Sequence, residues 1–399
     1  MVKKYKIAVL ISHPIQYQAP LFRKLAQHPE IDLMVYFCSD HGVTEKVDPG
    51  FGVAFKWDIP LLEGYRYKFL KNYFPFVSGG KLWLSVNPGI IKELWKEEYD
   101  AILVHDYVSL TNWLAFLGAW LTITPILFRG ETILRPDQSR IKRAVKSLYL
   151  KALFRKINAF LPIGTRSREF YLAYGARKNR LFFTPYSVDN KYFFKENKKW
   201  HKEKMKIKKE IGNLENNPVI LYVGKIYGLK GEGPLHLLKA FEKIQKDWNA
   251  SLIFVGDGKE RVILETYLQK NNIRNVYFLG FKNQSELPKY YSIADIFVLP
   301  SLNETWGLTI NEAMCFSLPI ITTSTVGASS DLVCHGKNGF IYTAGEINSL
   351  SGYLAKLLSG PLKRKEMGKL SLKIISNWNY DVCVEGILKS LEFIQRRNR

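Results

Sequence analysis

Short β-branched runs alternate with segments of helical periodicity along this chain, and the rhythm breaks once and starts again. Lys6–Ser12, Leu33–Phe37, Ala101–His105, Ile126–Phe128 and Ala159–Ile163 read as strands, with helical segments such as Pro20–Gln27 and Gly89–Glu97 between them. Lys191 to Asn217 is lysine-rich and almost free of β-branched residues, and it ends at Asn216-Asn217-Pro218. The strands then resume at Val219–Val223, Ser251–Val255, Val276–Leu279, Ile296–Leu299, Pro319–Thr322 and Phe340–Tyr342. Strands separated by helix-length connections pair in parallel, because a parallel pair needs a crossover. A chain of 399 residues also exceeds what one core holds, about 250–300 residues. The expected fold is therefore α/β, with two doubly wound Rossmann-like domains over 1–190 and 218–378. A lysine-rich linker over 191–217 would join them, and a helix over 379–399 would cross back to the first domain. Ligands in such sheets sit at the carboxyl ends of the strands, and the two sets of ends are expected to face one cleft.

Charge narrows the class less than its size implies. The net charge is +22, and half of it lies on residues 1–190, where 27 basic side chains stand against 16 acidic ones. Charge alone would fit a nucleic-acid binder, but no interleaved basic-aromatic motif or known module accompanies it, so no nucleic-acid partner is expected. Arg140 to Lys156 carries seven basic residues and no acid, with apolar Ile141, Val145 and Leu148 among them. A helix of this kind lies either on anionic lipid or in solvent. Cys38, Cys315, Cys334 and Cys383 are far apart and form no C-x-x-C pair, which fits a reducing cytoplasm. The uncharged stretch from Tyr107 to Phe128 is interrupted by Thr122, Thr124 and Pro125 and splits into a buried helix and a strand. The expected location is cytoplasmic, with peripheral contact at the inner face of the plasma membrane if the basic helix binds lipid.

The residues with chemistry to offer follow the second set of strands. Pro300-Ser-Leu-Asn-Glu304-Thr-Trp-Gly307-Leu308-Thr309-Ile-Asn-Glu312 places two glutamates eight apart, across a turn that opens a helix near Leu308. A helix start presents unpaired N–H groups and the positive end of its dipole, a natural place for phosphate. Glu304 precedes that start and Glu312 lies about one turn inside it, so the arrangement suits a ligand that is anionic in the middle and hydroxyl-rich at both ends. Upstream, Gly224-Lys225 and Lys230-Gly231 follow one strand, Gly256-Asp-Gly258 a second, and Gly280-Phe281 a third. Glycine turns let a backbone approach an anion, and two lysines five apart can neutralise a diphosphate. No G-x-x-x-x-G-K-[ST] loop stands here.

From Tyr222-Val-Gly-Lys through Val255-Gly-Asp-Gly258, Phe278-Leu-Gly280, Leu299-Pro-Ser301, Glu304-Thr-Trp-Gly307 and Asn311-Glu-Ala-Met314 to Gly336-Lys-Asn-Gly339, the C-terminal half resembles glycosyltransferase family 4. These are retaining enzymes of the GT-B fold. The resemblance implies a nucleoside-diphosphate-sugar donor of UDP, GDP or ADP type and transfer of its sugar to a hydroxyl of a glycan or lipid-linked acceptor. Such a protein would serve polysaccharide, lipopolysaccharide or glycolipid synthesis. It gives Glu304 the donor-sugar hydroxyls and Glu312 the ribose, and it sets the backbone of Gly307, Leu308 and Thr309 on the diphosphate. Lys230 matches the family's phosphate-binding lysine. Lys225 stands where the family usually has arginine, keeping the charge without the bidentate fork. Gly224 and Gly256 would line the donor, and backbone around Phe281 would hold the base. Glu304, Lys225, Lys230 and His105 are the expected catalytic set.

Acceptor domains vary more. His13 and Gln16 leave the first strand, His105 ends the strand Ala101–His105, and Arg129 ends the next. His13, Gln16 and Arg129 are expected on the acceptor side. No metal and no cofactor are expected, because no metal-ligand cluster accompanies the motifs. A sugar-nucleotide epimerase of the same two-domain layout is the competing enzyme class; it would act on a donor with no acceptor present.

Overall fold

The computed structural model describes residues 4–48, 50–74, 85–134, 140–212, 214–226 and 232–398. The chain forms two compact units. One comprises Met1–Lys46, Phe55–Tyr186 and Tyr380–Arg399, and the other Val47–Ala54 and Ser187–Asn379.

The first unit holds a six-stranded sheet in the order Arg66–Phe69, Ile31–Phe37, Tyr5–Ile11, Ala101–His105, Ile126–Arg129, Ala159–Phe160. Every pairing in it is parallel. Both faces are covered, and the period-two alternation of the strands assigns each side chain to one of them. Ala8, Leu10, Ile102, Val104 and Phe128 point into a cluster with Phe116, Phe154, Phe160, Phe170 and Tyr171. Ile7, Val9, Ile11, Leu33, Val35 and Leu103 point the other way, onto Leu21, Phe22, Leu25, Cys383, Val384, Ile387 and Leu391. The last four belong to the C-terminal helix Tyr380–Asn398. This helix is fixed at its start, where the Tyr380 hydroxyl donates to the Tyr17 carbonyl at 2.7 Å.

The second unit repeats the plan. Its order is Val276–Phe278, Ser251–Val255, Val219–Val223, Ile296–Leu299, Ile320–Thr323, Gly339–Tyr342, again parallel throughout. Numbered along the chain, both sheets run 3-2-1-4-5-6. In this order the connections leave in opposite directions from strands 1 and 4, which opens a crevice at their carboxyl ends.

Three expectations need correction. The stretch 191–217 is no linker: it forms helices Asn190–His201 and Lys204–Gly212 of the second unit. Phe193 and Ile207 are buried there, and Lys208 is only 4% exposed because its ammonium reaches the Asn217 carbonyl at 2.9 Å and Asp295 at 3.4 Å. The strand expected over Ala159–Ile163 ends at Phe160. Arg66–Phe69 is an edge strand that the sequence reading missed, since its polar residues face solvent.

In the helix Arg140–Lys156 the buried side chains are Leu150, Leu153 and Phe154, whereas Ile141, Val145 and Leu148 are 78%, 61% and 77% exposed. No helix among the described residues is long and apolar enough to cross a membrane.

Candidate active site

In the second unit, the strand Val219–Val223 ends in Gly224, whose N–H donates to the Val255 carbonyl at 3.0 Å. Gly256 in turn donates to the Gly280 carbonyl at 2.9 Å. The three glycine turns are thus joined edge to edge at the carboxyl ends of neighbouring strands. Gly256 has φ +133, and a Cβ there would lie 1.9 Å from the Gly224 carbonyl oxygen. Only glycine accepts both the backbone conformation and the approach.

Across the crevice lies the loop after Ile296–Leu299. It is held to the next strand and its loop: the Ser301 carbonyl accepts from Thr325 Oγ1 at 2.8 Å, the Glu304 carbonyl from the Gly327 N–H at 3.0 Å, and the Trp306 carbonyl from the Ala328 N–H at 2.9 Å. Trp306 is anchored by its Nε1 on Asn311 Oδ1 at 2.9 Å and by stacking on Trp378. Gly307 then caps the helix Leu308–Cys315 in the left-handed conformation, φ 92 and ψ 62, with no side-chain cap. Glycine offers these first amides no side-chain acceptor; the Ile310 N–H donates to the Gly307 carbonyl at 2.9 Å, and a helix start of this kind favours an anion.

The two glutamates have unlike surroundings. Glu304 accepts from the Trp306 N–H at 3.3 Å, and burial raises its pKa against the pull of that amide and of Thr305. Its charge lies close enough to Tyr222 to add to the rise that burial gives that phenol. Glu312 is 6% exposed and takes hydrogen bonds from the Tyr291 hydroxyl at 2.7 Å and Gln284 Nε2 at 3.2 Å. Burial raises its pKa from 4.5 to about 7, with both hydrogen bonds opposing the rise.

Lys225 lies at the first glycine turn. Its carbonyl accepts from the Tyr222 hydroxyl at 2.9 Å, and its ammonium meets Asp48 Oδ1 at 2.9 Å and Oδ2 at 3.1 Å. Phe281 packs edge-on against Phe51, centroids 4.8 Å apart. Lys230 lies outside the described residues. The helix Glu232–Ile244 that follows it starts against Pro300, since a Cβ on Gly233 would sit 2.7 Å from that carbonyl.

In the first unit, His13 lies in the loop after strand 1 and His105 is the last residue of strand 4. His13 Nδ1 is 2.9 Å from Ser12 Oγ, and its ring meets His41 edge-on. Gln16 is half-buried in the turn before the helix Ala19–Ala26. His105 pairs in register with Arg129, and burial, then the Arg129 charge, push its pKa well below the ordinary value, which favours the neutral imidazole. The following residue, Asp106, has φ 71, and Asn112 Nδ2 fixes this corner by donating to the carbonyls of His105 and Asp106, each at 2.6 Å.

Arg129, expected on the acceptor side, instead turns inward. It is 4% exposed, donating to Gln18 Oε1 at 3.2 Å and the Pro185 carbonyl at 3.4 Å, with its guanidinium over the Tyr186 ring. Its Nε has no partner among the described residues. The sequence reading gave Tyr222 no role beyond its place in a motif, and it missed Gln284, Tyr291, Asp48 and Phe51. No local signal gives the last four away: Asp48 and Lys225 are 177 positions apart.

Residues 203–373 match the family model described as glycosyl transferases group 1. The chain is similar to an uncharacterized glycosyltransferase of Methanocaldococcus jannaschii, 35% identical over 155 residues, which is 39% of each protein. It is also similar to the sulfoquinovosyl transferase SQD2 of Arabidopsis thaliana, 29% identical over 310 residues, 74% of this chain and 57% of that protein. The matched stretches thus span between two fifths and three fifths of those relatives' own lengths. Among solved structures, the Anabaena protein Alr3699/HepE in complex with UDP superposes with a TM-score of 0.75 at 18% identity, covering 97% of this chain and 99% of that one. At that identity the likeness is one of fold, and the fold is two Rossmann-like domains of the GT-B type.

Proposed function

We propose that this protein is a retaining glycosyltransferase that moves a sugar, of hexose type, from a UDP-sugar to a hydroxyl of a glycan or lipid-linked acceptor. The observation that carries the reading is the Glu304 loop, which sets a carboxylate beside an uncapped helix start at the crevice of the second sheet. In this reading Glu304 accepts hydrogen bonds from the transferred sugar, and Glu312 from the ribose through lone pairs that Tyr291 and Gln284 leave open. The amides of Gly307, Leu308 and Thr309 with Lys225 and Lys230 meet the diphosphate, and no metal or cofactor takes part. Gly224 and Gly256 line it, and the backbone near Phe281 meets the base. The match of residues 203–373 supports the class, and the UDP held by the Anabaena structure of the same fold supports the base.

Catalysis is then mainly electrostatic. Charge builds on the departing diphosphate as the sugar–oxygen bond breaks, and fixed positive groups aimed at that position lower the barrier without reorganising. The acceptor hydroxyl attacks the face that the diphosphate leaves, and the diphosphate accepts its proton. On the first unit, a neutral His105 can accept a hydrogen bond from an acceptor hydroxyl, and His13 and Gln16 are assigned to the acceptor. Arg129 acts at one remove, through its charge beside His105. The helix Arg140–Lys156 would rest on the anionic inner face of the plasma membrane, where lipid-linked acceptors are found; its basic side chains and its exposed Ile141, Val145 and Leu148 support this.

The test has two parts. UDP at a hundred times its dissociation constant adds about 2.7 kcal/mol of stability, so it should raise the melting temperature where GDP and ADP do not. Glu304→Ala should lower transfer by about a hundredfold or more while the protein still melts normally. Transfer within a few-fold of wild type in that variant would end the assignment.

A further inference from the structure

Residues Val47–Ala54 come from the N-terminal half of the sequence yet belong to the second unit. The described residues among them close a tight turn. The Asp48 N–H donates to the Val53 carbonyl at 3.0 Å, the Gly52 N–H donates to the Asp48 carbonyl at 2.7 Å, and Asp48 Oδ1 accepts from the N–H groups of Gly50 at 2.8 Å and Phe51 at 2.9 Å. So built, the loop lies on two of the groups assigned to the donor, Lys225 and Phe281, and against the second glycine turn at Gly258. Both Asp48 carboxylate oxygens contact Lys225 Nζ, and that ammonium also lies 4.7 Å from the centre of the Phe51 ring. Phe51 packs on Phe281, and the Gly50 carbonyl approaches Gly258 so closely that a Cβ there would be 3.1 Å away.

We infer that Asp48 is an affinity-setting residue that competes with the donor diphosphate for Lys225; the inference rests on the reading of Lys225 as a diphosphate ligand. A carboxylate 13% exposed and a lysine 37% exposed form a charge-assisted pair that a phosphate oxygen cannot join without repelling Asp48. Diphosphate and carboxylate thus exclude one another at the ammonium. The docked loop holds Lys225 when the site is empty, and a ligand bearing enough negative charge dislodges it. A ligand without phosphate leaves the pair in place. Asp48 in this way separates nucleoside diphosphates from nucleosides, an effect that neither glutamate can supply, since both face hydroxyls. Phe51, carried by the same loop, withdraws from Phe281 when Asp48 is displaced.

Asp48→Asn removes the charge while its side-chain oxygen still accepts from Gly50 and Phe51, so the turn survives. UDP binding by isothermal titration should tighten about three- to tenfold in this variant, the range that releasing one half-exposed ion pair allows. Uridine binding should not change. In a Lys225→Ala background, Asp48→Asn should have no effect. Hydrogen exchange provides an independent reading, with UDP expected to speed exchange of the Gly50 and Phe51 amides in the wild-type protein. Weaker or unchanged UDP binding in Asp48→Asn, a gain shared equally by uridine, a gain that persists without Lys225, or amides protected by UDP would each overturn the inference. Lys225→Ala binding UDP as tightly as wild type would instead remove the reading of Lys225 itself, and the competition with it.

Discussion

Glu312 offers a measurement of the proposed donor site that needs no acceptor. Burial raises its pKa from 4.5 to about 7, although Tyr291 and Gln284 both hydrogen-bond to it. A carboxyl with a raised folded-state pKa contributes its stability fully below the unfolded value. That contribution is lost as pH rises toward the folded value, because the unfolded chain releases the proton first. The window here runs from about pH 4.5 to about 7. Two and a half pKa units at 1.36 kcal/mol each come to about 3 kcal/mol. Glu312→Gln keeps the shape and the oxygen that accepts from Gln284, lets its amide nitrogen donate to the Tyr291 hydroxyl oxygen in place of the reverse bond, and carries no charge at any pH. For a unit of this size, 1 kcal/mol moves the melting temperature by about 2–4 °C, so the variant should gain roughly 6–12 °C on wild type between pH 4.5 and 8. Thermal unfolding of the two proteins across that range is the assay. Parallel curves would refute the reasoning, since they would mean that Glu312 is no harder to ionise in the folded protein than in the unfolded one. UDP sharpens the test: if Glu312 takes the ribose as proposed, its hydroxyls donating to the carboxylate favour the charged form, so binding near pH 6.5 should release protons, seen as a dependence of the binding heat on buffer ionisation, and Glu312→Gln should abolish this.

Two further outcomes follow from packing and surface chemistry. Gly256→Ala combines backbone strain with a Cβ 1.9 Å from the Gly224 oxygen and should cost about 2–6 kcal/mol, whereas Gly336→Ala, with φ +77 but no atom within 4 Å, should cost only about 1–2 kcal/mol; chemical denaturation compares them. Replacing Ile141, Val145 and Leu148 by serine should reduce sedimentation with anionic vesicles, and exchanging Arg143, Lys146 and Lys151 for glutamine should remove its salt sensitivity; equal binding to neutral vesicles would exclude an electrostatic contact.

The buried strands were legible because their continuous apolar runs admit little else: Val219–Val223, Ser251–Val255 and Ile296–Leu299 fall where the sequence placed them. Arg66–Phe69 escaped notice because an edge strand with one solvent face need not be apolar. The helices over 190–212 were hidden by lysines, although Phe193 and Ile207 are buried there and Lys208 is satisfied by Asp295, whose position 87 residues later no periodicity reveals. Within the site, motifs mark residues that share a loop, such as Glu304 and Gly307. They are silent on partners brought in by tertiary folding, as with Tyr291 and Gln284 on Glu312, or Asp48 on Lys225.

The C-terminal helix places an order on assembly. Cys383, Val384, Ile387 and Leu391 complete one face of the sheet that begins at Tyr5, so the half of the protein that leaves the ribosome first is the half that finishes last. Until those residues emerge, the face of Ile7, Val9 and Leu33 is only partly covered, by Leu21, Phe22 and Leu25 among others, while everything the second unit requires, Val47–Ala54 included, has already been made. A frameshift or a protease cut just before Tyr380 would thus damage the far end of the sequence rather than the near one.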